Sequence, residues 1–485
     1  MLNAADFVRF YSEIYDVAPF PWQADLVERV LGEGLWPDLI DVPTGLGKTA
    51  VIDIAVFIAA ATAHKAGANR LGRRRVFFVV DRRIVVDEAH TRAAFLAAGL
   101  ETAPKDSVTH QVALGLRSLA PHMDQPLAVP PSLPRSPGNR EVLRVTRMRG
   151  GVTWDASWLD RPDVPGIVVG TVDQVGSRLL FRGYGVSDRR KPIDAALVGM
   201  DSLILVDEAH LVEAMTTTLV AAQLRDPGDA GVPKAKVVEL TATPGRVSSR
   251  TYLFDVDAHR RSDVAWRRLN AAKRLSLVQS NSKEVVDALA TEAVNAVADG
   301  LDTVLVVCNT VDRARHVHDV LCKATATKRE PLDATVDLLI GRSRPADRDL
   351  LVKRLLARFG IERPRTDLRS AILVATQTVE VGANLDVDAL VTESAPWDAL
   401  VQRLGRVNRL GNGAGGSRAV VVHDDADSAV YGAARSVTWD LLSELAGSSS
   451  IDVSPLACRA LAGRIPEAAR SQRPGVPLLG IPTLD

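Results

Sequence analysis

The chain has 485 residues, of which 46% are hydrophobic and 24% charged, with a formal net charge of zero. This length and apolar content allow two or three domains with sizeable cores and argue against a disordered chain. Zero net charge excludes steering by the whole-molecule field, so a nucleic-acid partner would need a local basic groove. Three cysteines (Cys308, Cys322, Cys458) without CxxC spacing argue against a disulfide framework or a cysteine zinc site and fit a reducing cytoplasm.

The opening MLNAADFVRFYSEIYD carries acids and no apolar core, so it does not read as a secretory signal. A short apolar run then leads into Asp41-Val-Pro-Thr44-Gly45-Leu46-Gly47-Lys48-Thr49. In a phosphate loop, glycines let backbone N–H groups approach the phosphates, a lysine reaches the outer phosphates, and a hydroxyl holds Mg²⁺. Gly45, Gly47, Lys48 and Thr49 supply these parts. Val42 stands where the general pattern has its first glycine, a departure common in helicase-type loops of the form PTGxGKT. The stretch that follows, Ala50–Ala63, is apolar but contains Asp53 and is too short to span a membrane comfortably. A buried helix is expected there, in a soluble protein.

Short β-branched runs recur along the rest of the chain: 75–80, 166–170, 202–206 and 236–240, then 275–279, 303–308, 336–340, 371–376, 389–393 and 418–422. Continuous apolar runs predict strands buried on both faces, as in parallel α/β sheets. The two series predict an α/β chain of two such sheets, divided by a polar and basic linker near 245–275 suited to a hinge. Two stretches break the rhythm. Residues 101–165 hold nine prolines around Arg140, Arg144, Arg147 and Arg149, which predicts a loop-rich insertion. The C-terminal end is proline-rich and shows no convincing terminal element.

Asp-Glu-Ala-His occurs twice, at Asp87–His90 and Asp207–His210. Four such residues on a helix surface can be without function, so context decides between the copies. A phosphate loop needs an acidic pair at the tip of a neighbouring buried strand to complete a Mg²⁺ site. The second copy ends the run SLILV directly. The first lies most of two helical turns beyond the run RVFFVV, on a helix pointing to solvent. The second copy is therefore assigned the chemistry.

Further signals follow in a fixed order. Leu240-Thr241-Ala242-Thr243-Pro244 closes one strand, Ala375 to Asp386 follows another, and Gln402-Arg403-Leu404-Gly405-Arg406-Val407-Asn408-Arg409 comes last. Spacings of four and three put Gln402, Arg406 and Arg409 on one helix face.

This order, from Phe20 to Val422, resembles superfamily 2 helicases, in which two RecA-like lobes of the P-loop NTPase class sandwich ATP. The resemblance implies a first lobe over 20–268, a second over 269–430 and a C-terminal extension over 431–485, after an N-terminal segment of 19 residues. It implies that Thr44, Gly45, Leu46, Gly47, Lys48 and Thr49 bind the nucleotide phosphates, with Asp386 among the nucleotide contacts. Thr49 and Asp207 would hold Mg²⁺, and Glu208 would activate the attacking water. His210 would link the site to Thr241 and Thr243, which couple hydrolysis to lobe movement. Arg406 and Arg409 look like arginine fingers, worth about 10³–10⁵ in rate in related sites, with Gln402 beside them. Gln23, in Phe20-Pro-Trp-Gln23, resembles the glutamine that reads adenine. Arg82, Arg83, Thr171, Thr310 and Thr376 match strand-contacting positions that hold phosphates without reading sequence. Basic patches at Arg73–Arg75 and Arg189–Lys191 are candidates to extend that track, and aromatic residues, at 5%, limit base stacking.

The segments VVDRRIVVDEA, RGYGVSDRR and ESAPWDALVQRLGRVNRLG are similar to the CRISPR-associated helicase–nuclease of type I systems, above all its I-U (I-G) branch. That resemblance implies recruitment by a CRISPR surveillance complex to an R-loop, then ATP-driven movement 3′ to 5′ along single-stranded DNA. The family's HD nuclease is not expected in these residues. His318-Asp319 and His423-Asp424 lack companion histidines, so the nuclease would be a separate or C-terminal partner. A DEAH-type helicase of repair or RNA processing, and an ATP-gated clamp that does not translocate, are the competing readings.

Overall fold

The computed structural model describes the chain except at 82, 121–140, 149–156, 227, 229–230, 243–249, 328–330, 342–350, 352–353, 364–368, 381–383, 414–416, 427–429, 448 and 472–485; at 68, 83–85, 157 and 160 it describes the backbone alone. The chain divides into two compact units, Met1–Ser262 and Asp263–Asp485.

The first unit is built on seven strands: β1 (Leu39–Asp41), β2 (Arg75–Val80), β3 (Arg144–Met148), β4 (Gly166–Thr171), β5 (Ser202–Asp207), β6 (Lys236–Thr241) and β7 (Thr251–Leu253). Their order is β3-β4-β2-β5-β6-β1-β7, and every neighbouring pair is parallel. The apolar runs explain this arrangement, since a parallel sheet covered by helices demands burial on both faces. All six residues of RVFFVV are buried. The helices used below are α1 (Asp6–Tyr15), α2 (Pro21–Glu33), α3 (Val51–Ala61), α4 (Arg83–Glu101) and α5 (Val108–Leu119). α3 is buried along its whole length, as an apolar helix behind a phosphate-loop sequence should be. Among the described residues, no helix is long and apolar enough to cross a membrane.

The second unit repeats the plan with β8 (Lys273–Gln279), β9 (Thr303–Val307), β10 (Ala334–Leu339), β11 (Ser370–Ala375), β12 (Ala389–Glu393), β13 (Ser417–His423) and β14 (Ile451–Asp452). Their order is β10-β11-β9-β12-β13-β8-β14, parallel except for the antiparallel β14. Within each unit the parallel strands present their C-terminal ends along one edge, where α/β sheets place their ligand-binding loops.

Four regions differ from the sequence expectation. The polar stretch 245–275 carries sheet structure: β7 pairs with β1, Tyr252 is buried, and the helix Asp263–Leu269 buries Ala265 and Leu269 in the second unit. The chain accordingly passes between units at Ser262, six residues before the expected boundary. The first 19 residues are not a separate segment, because Phe7 and Phe10 of α1 pack their rings 5.4 and 5.6 Å from that of Phe57 in α3. Residues 101–165 include α5 and β3, an edge strand whose mixed polar sequence RVTRM hid it from an apolar-run search. Finally, the part of the expected 431–485 extension that is described belongs to the second unit, supplying β14 and burying Val453, Cys458, Ile465 and Ala469 in its core, while the proline-rich end at 472–485 lies outside the described residues.

The basic patch at Arg73–Arg75 is also not a strand track. It lies at the opposite end of β2 from the ligand edge and is folded inward. Arg75 donates to the carbonyls of Leu197, Pro162 and Met200 at 2.9, 3.0 and 2.7 Å, while the Arg74 backbone N–H donates to Asp201 Oδ1 at 3.0 Å. A guanidinium whose three nitrogens each donate to a carbonyl, stitching three chain segments together, is structural. Arg75→Ala strands those carbonyls, so thermal unfolding should show a loss of about 1–3 kcal/mol. ATP turnover per folded molecule should stay at the wild-type value, because the patch is remote from the ligand edge.

Candidate active site

Strand order brings the predicted chemistry together. β6 lies between β1 and β5, with Asp41 in register with Thr241 and Asp207 with Leu240. Thr241 thus sits between the loop leaving β1 and the acids ending β5. In that loop Gly45 and Gly47 have φ of 84° and 70°, the left-handed region that favours glycine. The chain then tightens into a 3₁₀ turn at Lys48–Ala50 and runs on into α3. The N–H groups at the start of this turn are placed as in an anion site. A Cβ at Gly47 would lie only 3.3 Å from Gln23 Nε2. Thr44 and Thr49 are partly exposed on the same loop.

The loop is held from behind by α2. Trp22 Nε1 donates to the Leu46 carbonyl at 2.9 Å and Gln23 Nε2 to the Gly47 carbonyl at 3.2 Å. Gln23 is completely buried, and its Oε1 accepts from the Phe20 N–H. β7 and the turn after it fix α2 in turn. The Tyr252 hydroxyl donates to Asp25 Oδ2 at 2.6 Å, and Trp22 N–H donates to His259 Nε2 at 3.2 Å. Nothing in their own polar, hinge-like segment marks Tyr252 or His259 for this role.

Opposite the loop stand the acids. Lys48 Nζ lies 2.8 Å from Glu208 Oε1, with both side chains about 10% exposed or less. Glu208 has φ 48° and ψ 49°, a left-handed conformation costing a non-glycine residue about 1–3 kcal/mol and found mostly at functional sites. Its other oxygen lies 3.5 Å from His210 Nδ1, which is 3.2 Å from Thr241 Oγ1. Asp207 Oδ1 is buried without a hydrogen-bond partner among the described residues. Burial, reinforced by the charge of Glu208 and opposed by Lys48, pushes its carboxyl up to about 7. A buried carboxylate with an unmatched oxygen, beside a second acid and a threonine-tipped phosphate loop, is a donor set suited to a hard divalent cation. Thr49 and Asp207 therefore fit Mg²⁺.

The first Asp-Glu-Ala-His lies in α4, as its spacing predicts, with Glu88 exposed and Asp87 and His90 half-buried. Asp87 Oδ1 is 3.2 Å from Arg147 Nη1, and His90 Nδ1 is 3.2 Å from Arg147 Nη2, which ties α4 to β3. Glu88 is exposed, and its charge adds slightly to the rise at Asp207. Lys48 pairs with Glu208 and not with this copy.

In the second unit the helix Trp397–Leu404 carries Gln402, which is buried. The helix ends before Arg406, so Gln402, Arg406 and Arg409 do not share a helical face. Val407 instead forms a parallel bridge with Val387, fixed by Val387 N–H to Arg406 O at 2.9 Å and Asn408 N–H to Val387 O at 2.9 Å. Backbone pairing outcompetes helix continuation here, and Asn408 takes φ 40° to make the turn. Asp386 is buried and accepts from the Arg409 backbone N–H at 2.6 Å, so its carboxylate orders the arginine segment. Arg406 donates to the Glu380 carbonyl. Of the phosphate-contact candidates, Thr171 and Thr376 are buried at the tips of β4 and β11, while Thr310 is exposed and caps the helix Val311–Thr325. Arg82 and Thr243 lie outside the described residues, and only the backbone of Arg83 is described. His423 and Asp424 are engaged elsewhere, with Ser394 and Arg435 respectively. Among the described residues no cluster of three metal-ligating side chains occurs.

Comparison with known proteins fits this geometry. Residues 301–412 match the model of the family described as Cas3-like_C_2, the C-terminal part of CRISPR-associated nuclease/helicase Cas3. The CRISPR-associated endonuclease/helicase Cas3 of Escherichia coli (strain K12) is 30% identical over 232 residues, 43% of this chain and 25% of that protein. The CRISPR-associated helicase Cas3 of Thermoproteus tenax is 30% identical over 258 residues, 51% of this chain and 39% of that protein. These matches are partial: the chain is similar to Cas3 helicases over the stretches given. The crystal structure of T. fusca Cas3 with AMPPNP superposes with a TM-score of 0.56 at 20% identity, covering 94% of this chain and 54% of that one. The fold is thus two RecA-like lobes, and the chain spans less than half the length of these two sequence relatives and about half of that structure.

A carboxyl raised on folding stabilises the fold at acid pH, and that contribution is lost as the pH climbs through about 7. Asp207→Asn removes this loss. Its melting temperature should exceed the wild type's by about 2–4 °C at pH 8, with the gain shrinking as the pH falls and vanishing only below about 4, the range of the unfolded carboxyl. An equal shift at both ends of this range would contradict the assigned burial.

Proposed function

We propose that this chain is an ATP-driven translocase on single-stranded DNA that serves type I CRISPR interference in the cytoplasm. The observation that carries the reading is the Lys48–Glu208 pair across the tips of β1 and β5, with His210 and Thr241 directly behind it. The Cas3 matches supply the biological setting, and one neighbouring structure is a CRISPR RNA-guided surveillance complex, at a TM-score of 0.57. Recruitment by such a complex at an R-loop, and cooperation with a separate or C-terminal HD nuclease, belong to the same proposal.

In this mechanism the ATP phosphates take the loop's N–H groups and the Lys48 ammonium, which releases Glu208 to orient the attacking water. Mg²⁺, held by Thr49 and Asp207, would neutralise charge on the phosphates. Gln23 contributes by holding the Gly47 turn; both ends of its buried amide are engaged there, so contact with the base would require that amide to turn. Arg406 and Arg409 meet the developing charge from the second lobe, and His210 passes the change to Thr241 and Thr243. Chemistry of this kind is mostly positioning and electrostatics. Arg82, Arg83 and Thr310 hold strand phosphates by side chain, whereas the buried Thr171 and Thr376 serve through the backbone turns they start.

ATPase activity measured with single-stranded DNA, RNA and duplex, alongside strand displacement, tests this reading. Single-stranded DNA should stimulate turnover several-fold more than RNA does, with displacement dependent on ATP. Preferential stimulation by RNA would assign the chain to RNA processing, and stimulation without displacement would make it a clamp.

A further inference from the structure

Arg403 has no role in the mechanism above, yet among the described residues of the second unit it is the most thoroughly bonded charge. It is 0% exposed and lies in the helix Trp397–Leu404. Nε donates to Glu380 Oε1 at 2.9 Å, and Nη1 donates to Thr392 Oγ1 at 2.7 Å and to the Glu393 carbonyl at 3.0 Å. Nη2 donates to Asn309 Oδ1 at 3.0 Å and to the Tyr431 hydroxyl at 3.3 Å, and lies 2.8 Å from Glu380. A buried guanidinium is tolerated only when its fork is satisfied in this way, so its partners cannot shift independently.

Those partners point in two directions. Asn309 directly precedes Thr310 and knits three strand tips together. Its N–H donates to Glu393 Oε2 at 2.6 Å, its Nδ2 to the Ser394 carbonyl at 2.9 Å, and its carbonyl accepts from Gln377 Nε2 at 2.9 Å. Gln377 in turn directly follows Thr376. On the other side, Glu380 takes Arg403 on its carboxylate and Arg406 on its backbone carbonyl. The Tyr431 hydroxyl, 3.4 Å from Glu380 Oε1, closes this side of the cluster from beyond the family-matched residues.

We infer that Arg403 is a positioning residue that couples strand occupancy at Thr310 and Thr376 to the placement of Arg406. The inference rests on the reading of the chain as a strand-stimulated ATPase. A phosphate that moves Asn309 or Gln377 alters one end of a planar, fully bonded fork, and the other end holds the carboxylate of the residue that orients Arg406. A lysine could not transmit this, since a point charge with three rotatable donors lacks the fixed fork.

The test uses the 485-residue chain with Asn309→Ala, which removes one acceptor from Arg403 and leaves Glu380, Thr392 and Tyr431 in place. Strand-free ATP turnover should remain near wild type. Stimulation by saturating single-stranded DNA should fall about tenfold, through kcat with KM for ATP held, while strand affinity by fluorescence anisotropy is unchanged. Retained stimulation overturns the inference. So does a parallel loss of strand affinity, which would make Asn309 part of the strand contact. Should Asn309→Ala fail to fold, Tyr431→Phe decides: reduced stimulation with affinity kept supports the coupling, and unchanged stimulation overturns it. A wild-type chain that no strand stimulates overturns the functional reading as well, which separates the two failures.

Discussion

The Lys48–Glu208 ion pair joins the two sequence motifs that matter most, 160 residues apart, across a single intervening strand. It can form only because β1, β6 and β5 are parallel neighbours whose ends coincide in register. Much of the first unit serves that coincidence. The apolar α3 anchors the phosphate loop from below, Trp22 and Gln23 hold its carbonyls, and β7 with His259 holds α2. Glu208 carries backbone strain at the centre of this frame, and a buried Asp207 carries electrostatic strain beside it. Both strains are tolerable because the surrounding sheet leaves those residues nowhere else to go.

The second unit solves a different problem with similar means. Its arginine segment leaves the helix early and is fixed by a one-residue bridge between Val407 and Val387, by Asp386 beneath Arg409, and by Glu380 beneath Arg406. Three inward-facing groups thus set the direction of two arginines. Buried polar networks of this kind specify one arrangement because any partly satisfied alternative is costly.

Legibility in the sequence followed the physics of each element. The central strands were readable because burial on both faces demands unbroken apolar runs, and RVFFVV or SLILV have no other comfortable environment, whereas the partly exposed β8 and β10 were legible from apolar content alone. The strands that escaped are edges or short: β3 mixes arginine with apolar residues, and β7 and β14 have three and two residues. The loop's place after β1 and the second acidic motif's place at the tip of β5 were also readable, because both depend on position relative to a strand. What the sequence did not reveal was contact between distant segments. Nothing local says that Asp87 and His90 would reach Arg147, or that Arg73–Arg75 would fold inward against carbonyls. Arg403 did leave a signal. It sits with Leu400 and Leu404 on the buried face of its helix, where an arginine implies a partnered, buried charge. The helix-face expectation for Arg406 and Arg409 failed because a three-and-four spacing cannot register a backbone bridge to Val387.

The central claim is that one of two identical motifs is the engine, and turnover in two matched variants tests it most directly. Strand-stimulated ATP hydrolysis is measured for the wild type, Glu208→Gln and Glu88→Gln. Glu208 lies against Lys48 and His210, whereas Glu88 stands exposed on α4. The account predicts loss of turnover by about 10²-fold or more in Glu208→Gln and near-normal turnover in Glu88→Gln. Comparable loss in both, or loss in Glu88→Gln alone, would contradict it.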